Sequence, residues 1–184
     1  QTLRMNRPRW EVHEEDIHLL NEEGAFWGLK DKIDVVAGGF PCQAFSYAGK
    51  GLGFGEARGT LFFEFLKAAQ AVRPKIVLGE NVRGLMRHDG GRTLKTMVHL
   101  LSEAGYRVVY RLVRAQFLDV PQKRERLIIM GVRDDLDMPH LFPREKDYTV
   151  NLRQAFKGIP KSAGQKYPPK KAKVMKMVPP GGYW

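Results

Sequence analysis

The chain has 184 residues, of which 43% are hydrophobic and 28% are charged, as is typical of a soluble globular domain with one sizeable core. Its 31 Lys and Arg outnumber 20 Asp and Glu, and the resulting net charge of +11 favours a polyanionic partner such as DNA, RNA or an anionic membrane surface. A single cysteine excludes an intrachain disulfide and a multi-cysteine zinc site, and no apolar stretch approaches the roughly 20 residues of a membrane-spanning helix.

The chain begins with a polar segment, residues 1–15, that is basic at first and acidic toward its end. It lacks the glycine-rich turn between strand and helix with which a nucleotide-binding α/β unit opens. Asp16 follows, and its position before a short apolar segment suits either a helix cap or a solvated carboxylate.

A buried strand and a sharp turn are predicted around the only cysteine. Residues 33–37 (IDVVA) are mostly apolar, and Gly38 and Gly39 then give the backbone freedom to turn. Pro41 fixes φ immediately before Cys42. A lone cysteine is usually a small buried hydrophobe, but this one is expected at the carboxyl end of a strand, where open α/β sheets hold their active sites. We therefore predict that this thiol is a nucleophile.

A glycine-rich segment, residues 49–59 (GKGLGFGEARG), contains Lys50 and Arg58. It matches neither the dinucleotide-binding fingerprint nor the P-loop spacing, so a flexible lid is favoured over a phosphate cradle. The two cations would meet phosphates and would raise the thiolate fraction of Cys42.

A helix and a second strand are predicted next. Thr60 can cap a helix over residues 61–72, with Glu64 near its positive end. The face that packs on the sheet is predicted from helical spacing: Leu61, Phe62, Phe65, Leu66, Ala69 and Val72. Residues 75–79 (KIVLG) predict a buried strand, and Glu80 follows directly. One parallel crossover would bring this glutamate and the cysteine to the same edge of the sheet.

The remaining pattern becomes less regular toward the end of the chain. Residues 92–104 predict an amphipathic helix, and residues 106–113 and 127–132 predict two strands that no helix separates. The connecting residues 114–126 form a candidate functional loop, although the charged run at its end, taken alone, is more often a solvated turn. Residues 161–184 contain lysines and prolines but no Asp or Glu, which favours an extended basic linker.

Three short motifs together resemble the signature motifs of the DNA (cytosine-5)-methyltransferases. They are residues 39–43 (GFPCQ), 80–82 (ENV) and 122–126 (QKRER), and they occur in that family's order at compatible spacings. The resemblance extends over about residues 16–133. It implies an α/β fold with a Rossmann-like methyltransferase sheet, mostly parallel with the last strand antiparallel, incomplete at the N-terminus.

The resemblance also implies a domain organisation. Residues 1–134 would form a partial catalytic core that uses S-adenosylmethionine, and residues 135–184 would form a basic Pro- and Lys-rich linker. This linker would lead toward a target-recognition region that is absent from the sequence.

The chemistry implied by the resemblance is methylation of cytosine at C5. Cys42 would add to C6 and make C5 enamine-like, because C5 is too weakly nucleophilic by itself. Glu80, if a buried site raises its pKa, would hydrogen-bond or protonate N3 and bond the exocyclic amine. Arg126 would meet the cytosine O2, and Arg124 would brace Glu80 or the DNA backbone.

The resemblance implies two further sets of residues. Four would bind S-adenosylmethionine: Asp16, Ile17, Pro41 and Leu61. Four would hold the opened strand around a flipped-out cytosine: Gln43, Ser46, Lys50 and Arg58. We expect double-stranded DNA as the partner, no metal and no membrane association, and a location in the bacterial cytoplasm at the nucleoid.

Three interpretations remain open at this stage. The first is the catalytic part of a DNA methyltransferase from a bacterial restriction-modification system. The second is a related RNA (tRNA) cytosine-5 methyltransferase with the same Pro-Cys centre. The third is a noncatalytic DNA-binding fragment, or one subunit of a split enzyme in which a second chain supplies the missing motifs.

Overall fold

The structure is a computed structural model, and it describes residues 1–41, 61–160, 167–179 and 182. It divides into two compact units, Gln1–Val150 and Asn151–Trp184. The division expected at residue 134, between a catalytic core and a linker, stays a prediction. Residues beyond that point are held to the first unit, since Arg107 Nη2 donates to the carbonyl oxygens of Leu136 at 2.7 Å and Met138 at 3.0 Å.

The first unit alternates helices and strands. Its described helices are α1 (Thr2–Asn6), α2 (Ile17–Glu22), α3 (Leu61–Val72) and α4 (Arg92–Glu103). Its described strands are β1 (Val35–Gly38), β2 (Ile76–Val82), β3 (Tyr106–Arg114) and β4 (Glu125–Arg133). These elements confirm the two long helices and the four strands that the sequence predicts. The second strand is longer than expected, so Glu80 lies within it rather than after it.

The four strands form one sheet in the order β1-β2-β4-β3. The pair β1 and β2 is parallel, with Val36 opposite Val77, while β4 is antiparallel to both of its neighbours. Three strands therefore run in one direction, and β4 alone is reversed. This confirms the α/β fold with an antiparallel last strand, and it places the beginning of β4 beside the carboxyl ends of β2 and β3.

The core lies between the sheet and the helices α3 and α4. Phe62 and Phe65 of α3 are 0% and 5% exposed, and the ring of Phe40 meets that of Phe62 edge-on at 5.1 Å between centroids. Burial of each such ring contributes about 1.5–3 kcal/mol. The aromatic cluster is therefore core, as the helical spacing predicts. Leu61 is the exception on this face, because it is 39% exposed.

The second unit contains α5 (Leu152–Ala155) and α6 (Pro169–Met177). In α5, Asn151 and Gln154 form a reciprocal capping box. The helix α6 differs from the extended linker expected there. A proline in its first turn is compatible with a helix, and the Lys, Ala and Met residues that follow are good helix formers.

No helix in the described parts of the chain is long and apolar enough to span a bilayer.

Close packing of α3 on β1 depends on Gly38. A Cβ placed on Gly38 would lie 2.6 Å from Cδ2 of Phe65, well inside van der Waals contact. The Phe65 ring also contacts that of Phe40, with 5.4 Å between centroids, so its movement would disturb the core.

We predict that Gly38→Ala lowers the free energy of unfolding by about 1–3 kcal/mol, because the added methyl overpacks this contact. Urea denaturation measures the loss. Gly28→Ala is the matched control, since no atom lies within 4 Å of a Cβ at that position. The control should stay within about 0.5 kcal/mol of the unsubstituted protein. Equal losses in the two variants would contradict the packing argument.

Candidate active site

Two polar side chains, Glu80 and Asn81, lie next to each other on β2. Successive strand residues point to opposite faces, so the two side chains enter different environments. Asn81 is 4% exposed, whereas the side chain of Glu80 is 46% exposed. The burial expected for Glu80 is therefore not found in the described part of the chain.

The backbone that follows β1 is held alongside β2 by Asn81. Its Nδ2 donates to the carbonyl oxygen of Phe40 at 2.8 Å, and its Oδ1 accepts from the backbone N–H of Val82 at 2.9 Å. A Cβ placed on Gly39 would lie 3.5 Å from Oε2 of Glu80. The Glu80 carboxylate therefore faces the segment that leads to Pro41.

An ion pair joins Glu80 to the first residues of β4. Arg126 Nε lies 2.7 Å from Glu80 Oε1, and Arg126 Nη1 donates to the Glu125 carbonyl oxygen at 2.8 Å. The antiparallel register brings the pair together, because Arg126 lies opposite Val82. A pair this exposed contributes about 0–1 kcal/mol to stability, so its main consequence is the orientation of the carboxylate. Arg126, and not Arg124, therefore braces Glu80.

A depression of about 590 Å³ lies beside this ion pair. The residues that line it are Val82, Arg83, Gly84, Gln122, Lys123, Arg124, Glu125 and Arg126. Arg124 is exposed there, and the contact with the DNA backbone that the resemblance implies for it stays a prediction. The excess of cations makes the depression suitable for phosphate groups.

A second groove, of about 600 Å³, shares Arg83 and Glu125 with the first depression. Its other charged lining residues are Arg111, Arg114, Arg144 and Glu145. Arg114 is paired with Glu145, which raises the pKa of the guanidinium and lowers that of the carboxyl. The lining of this groove contains more arginines than carboxylates, so the basic surface extends along β3.

The residues predicted to bind a cofactor lie at the ends of elements. Asp16 caps α2, since its Oδ1 accepts from the backbone N–H of His18 at 2.9 Å. Ile17 is partly buried, Leu61 begins α3, and Pro41 is exposed beside the Glu80 segment. The cap is the local role that Asp16 was expected to suit, and the cofactor role of these four residues stays a prediction.

Five predicted site residues lie outside the described residues: Cys42, Gln43, Ser46, Lys50 and Arg58. The expected cap Thr60 lies outside them as well.

A polar cluster that the sequence did not reveal joins α2 to α3. We call it the Glu64 cluster, and it consists of Glu64, Asn21, His18 and Lys67. Glu64 is 1% exposed, and its oxygens lie 2.6 Å from Asn21 Nδ2, 2.8 Å from Lys67 Nζ and 3.1 Å from His18 Nδ1. Burial acts to raise the pKa of this carboxyl, but the hydrogen bonds from Lys67 and Asn21 and the nearby His18 lower it below the ordinary value.

In the sequence, Glu64 lies near the apolar face of α3, in the first turn of the helix. That position indicates only a favourable interaction between its carboxylate and the helix dipole. Asn21 lies 43 residues earlier, and no motif or period links the two positions.

No group of three or more His, Cys, Asp or Glu side chains within residues 1–41, 61–160 and the later described residues could hold a metal ion.

Comparison with known proteins relates the chain to one family. A family model described as C-5 cytosine-specific DNA methylase matches residues 1–178. The type II methyltransferase M.Eco47II of Escherichia coli is 50% identical over 194 residues, which cover 100% of this chain and 46% of that relative. The type II methyltransferase M.Sau96I of Staphylococcus aureus is 44% identical over 188 residues, which cover 100% of this chain and 44% of that relative. The chain thus spans about half the length of these curated relatives.

A solved structure gives a consistent result for the fold. A protein described as a DNA modification methyltransferase encoded within an E. coli prophage superposes with a TM-score of 0.66 at 27% identity. The match covers 88% of this chain and 45% of that one.

We predict that Asn81→Ala lowers the free energy of unfolding by about 1–3 kcal/mol, because it leaves the Phe40 carbonyl without its buried donor. Thermal and urea unfolding measure the loss. Asn6→Ala is the matched control, since Asn6 Nδ2 donates to the Thr2 carbonyl oxygen at 3.0 Å in an exposed helix. The control should change stability by less than about 0.5 kcal/mol. A loss at Asn6 as large as that at Asn81 would contradict the role given to burial.

Proposed function

Since the chain belongs to the C-5 cytosine-specific DNA methylase family, we propose that it forms the catalytic part of an enzyme that methylates cytosine at C5 in duplex DNA. The observation that carries the proposal is the arrangement at one edge of the sheet. There the segment leading to Pro41, the Glu80 carboxylate and the Arg126 guanidinium lie together. Each of these three groups comes from a different motif of the sequence.

Cys42, the residue that follows Pro41 in the chain, is the nucleophile in this proposal. Its thiolate adds to C6 of cytosine, forming the S–C6 bond and moving an electron pair toward C5 and N3. The activated C5 then accepts the methyl group. Loss of the C5 proton to a base returns an electron pair to the ring and breaks the S–C6 bond, which releases the cysteine.

Glu80 and Arg126 stabilise the charge that this addition creates. We expect the Glu80 carboxyl to hydrogen-bond or protonate N3 and to accept a hydrogen bond from the exocyclic amine. Arg126 uses Nε for Glu80 and Nη1 for the Glu125 carbonyl, and its Nη2 has no hydrogen bond to any part of the described chain. That free N–H group is the donor for the cytosine O2, where a fixed cation lowers the transition-state energy.

S-adenosylmethionine supplies the methyl group as an electrophile. The residues that would hold it fit a ligand with an amine, hydroxyls and an apolar base edge. Asp16 uses Oδ1 for its helix cap, which leaves Oδ2 as an acceptor, and Leu61 exposes an apolar side chain at the start of α3. Ile17 and Pro41 complete the proposed set.

The cytosine must leave the helical stack, because C6 is hidden between stacked bases in a duplex. Gln43, Ser46, Lys50 and Arg58 are proposed to hold the opened strand. The two basic depressions around Arg83 support binding of the flanking phosphates, since both lie at the edge of the sheet that carries Glu80. Double-stranded DNA is therefore the proposed partner.

The two curated relatives described above are named type II methyltransferases. We accordingly propose that the protein acts in a restriction-modification system, on DNA in the bacterial cytoplasm. A second chain would be required only if the protein is one part of a split enzyme.

We predict that the complete protein forms a covalent adduct with duplex DNA containing 5-fluorocytosine in the presence of S-adenosylmethionine. Fluorine cannot leave as a proton does, so the S–C6 bond persists and a shifted band remains on a denaturing gel. Cys42→Ala is the control and should form no adduct. An adduct with fluorocytosine-containing tRNA but none with duplex DNA would replace this proposal with an RNA methyltransferase. Undiminished methylation by Cys42→Ala would rule out the covalent mechanism.

We predict different effects for Arg124 and Arg126, the two arginines of the motif at residues 122–126. Arg126→Ala should lower kcat by about 10²–10³-fold, because it removes a transition-state donor and frees Glu80. Arg124→Ala should mainly raise KM for DNA and reduce the magnitude of the salt dependence of binding by about one unit of slope. Steady-state methylation and fluorescence anisotropy across salt concentrations measure these effects. The same loss of kcat in both variants would argue against the separate roles.

A further inference from the structure

We propose that Glu64 is a positioning residue that holds α2 against the start of α3 and thereby shapes the S-adenosylmethionine site. The inference rests on the cofactor contacts of the proposed function. Glu64 itself need not touch the cofactor, because its carboxylate is enclosed by side chains of the Glu64 cluster.

Residue 64 contacts α2 through both its side chain and its backbone. Asn21 Nδ2 lies 2.6 Å from the carboxylate Oε2 and 3.0 Å from the main-chain oxygen of Glu64. His18 Nδ1 lies 3.1 Å from Oε1, which also accepts from Lys67 Nζ at 2.8 Å. Contacts from two successive turns of α2 define both the rotation and the axial position of that helix relative to α3.

The helix α2 needs such contacts to keep its position. It has six residues, which is too short to be stable in water by its own hydrogen bonds. None of its residues is fully buried, so apolar packing alone anchors it weakly. A buried carboxylate is also a costly choice for stability alone, because desolvation opposes it and an apolar side chain could fill the same space. These facts favour a role for Glu64 in geometry rather than in core stability.

The proposed cofactor contacts lie within one turn of this cluster on each helix. On α2, Asp16 is the cap whose Oδ1 accepts from the backbone of His18, and Ile17 is the first helical residue. On α3, Leu61 precedes Glu64 by three residues and therefore lies on the adjoining turn. The cluster thus connects the two segments that carry the proposed cofactor contacts.

The test measures S-adenosylmethionine binding by isothermal titration in the complete protein, together with kcat at saturating cofactor. Glu64→Ala should raise the Kd for S-adenosylmethionine about tenfold or more, because it removes a charged hydrogen-bond network that positions the cofactor site. The kcat at saturating cofactor should stay within about twofold, because Glu64 does not contact the cytosine. Glu64→Gln keeps one acceptor oxygen and should recover part of the affinity. Asn21→Ala removes the same contact from the other helix and should reproduce the effect even if Glu64→Ala folds poorly.

A double-mutant cycle then shows whether the two residues act through one contact. If they do, Glu64→Ala combined with Asn21→Ala should bind the cofactor no more weakly than the weaker single variant. Additive losses would overturn the coupling.

Two controls separate positioning from general destabilisation. Asp34→Ala removes an exposed carboxylate that pairs with Lys75 at 2.7 Å, and Leu101→Ala removes a side chain that is 2% exposed on α4. Neither should change Kd, although the second lowers stability by leaving a cavity.

An equal rise in Kd for Leu101→Ala, or unchanged binding by both Glu64→Ala and Asn21→Ala, would overturn this inference alone. Failure of the unsubstituted protein to bind S-adenosylmethionine would overturn the proposed function and this inference with it.

Discussion

The parallel pairing of β1 with β2, and its extension by the bond from Asn81 to Phe40, is the constraint on which the site depends. Parallel strands end at the same edge of a sheet, so residues far apart in the chain meet there. β1 itself ends at Gly38, but Asn81 continues the alignment by two residues because it holds the Phe40 carbonyl. The Phe40 ring is 6% exposed among the core rings, which anchors the same residue from its side chain. Backbone and side chain together direct the Pro41 segment past Glu80.

The reversed strand supplies the third part of the site. Because β4 runs against its neighbours, its beginning, rather than its end, lies at the edge where β2 carries Glu80. Arg126 thereby reaches Glu80 from the second residue of β4, while Arg124 lies before the strand and stays exposed. Arg124 and Arg126 both line the basic depression, and Arg126, two positions further along the chain, also pairs with the Glu80 carboxylate. The sheet topology is what gives similar residues of one motif different surroundings.

At each side of the proposed site, a buried polar residue joins two segments of the chain by hydrogen bonds. Asn81 joins the end of β1 to β2, and Glu64 joins α2 to α3. Each is nearly inaccessible to water and forms at least one hydrogen bond with a group that lies more than 40 residues away in the chain. Directional bonds of this kind specify one relative position of two segments, whereas apolar contacts tolerate several. The apolar core supports the sheet, and these two polar contacts define where its connecting segments lie.

Local sequence pattern predicted the helices α3 and α4 and the strands, and three short motifs indicated the family, because apolar periodicity and short motifs are local properties. It also predicted, from strand order, that Glu80 and Cys42 lie at one sheet edge, while the role of Arg126 at the cytosine O2 was implied by the family resemblance. It missed α6, where lysine and proline content outweighed helix propensity. The pairing of Glu80 with Arg126 rather than Arg124, and the contact of Asn21 with Glu64, became evident from the three-dimensional arrangement of the chain. Those choices depend on strand register and on the packing of helices distant in sequence, neither of which a local pattern contains.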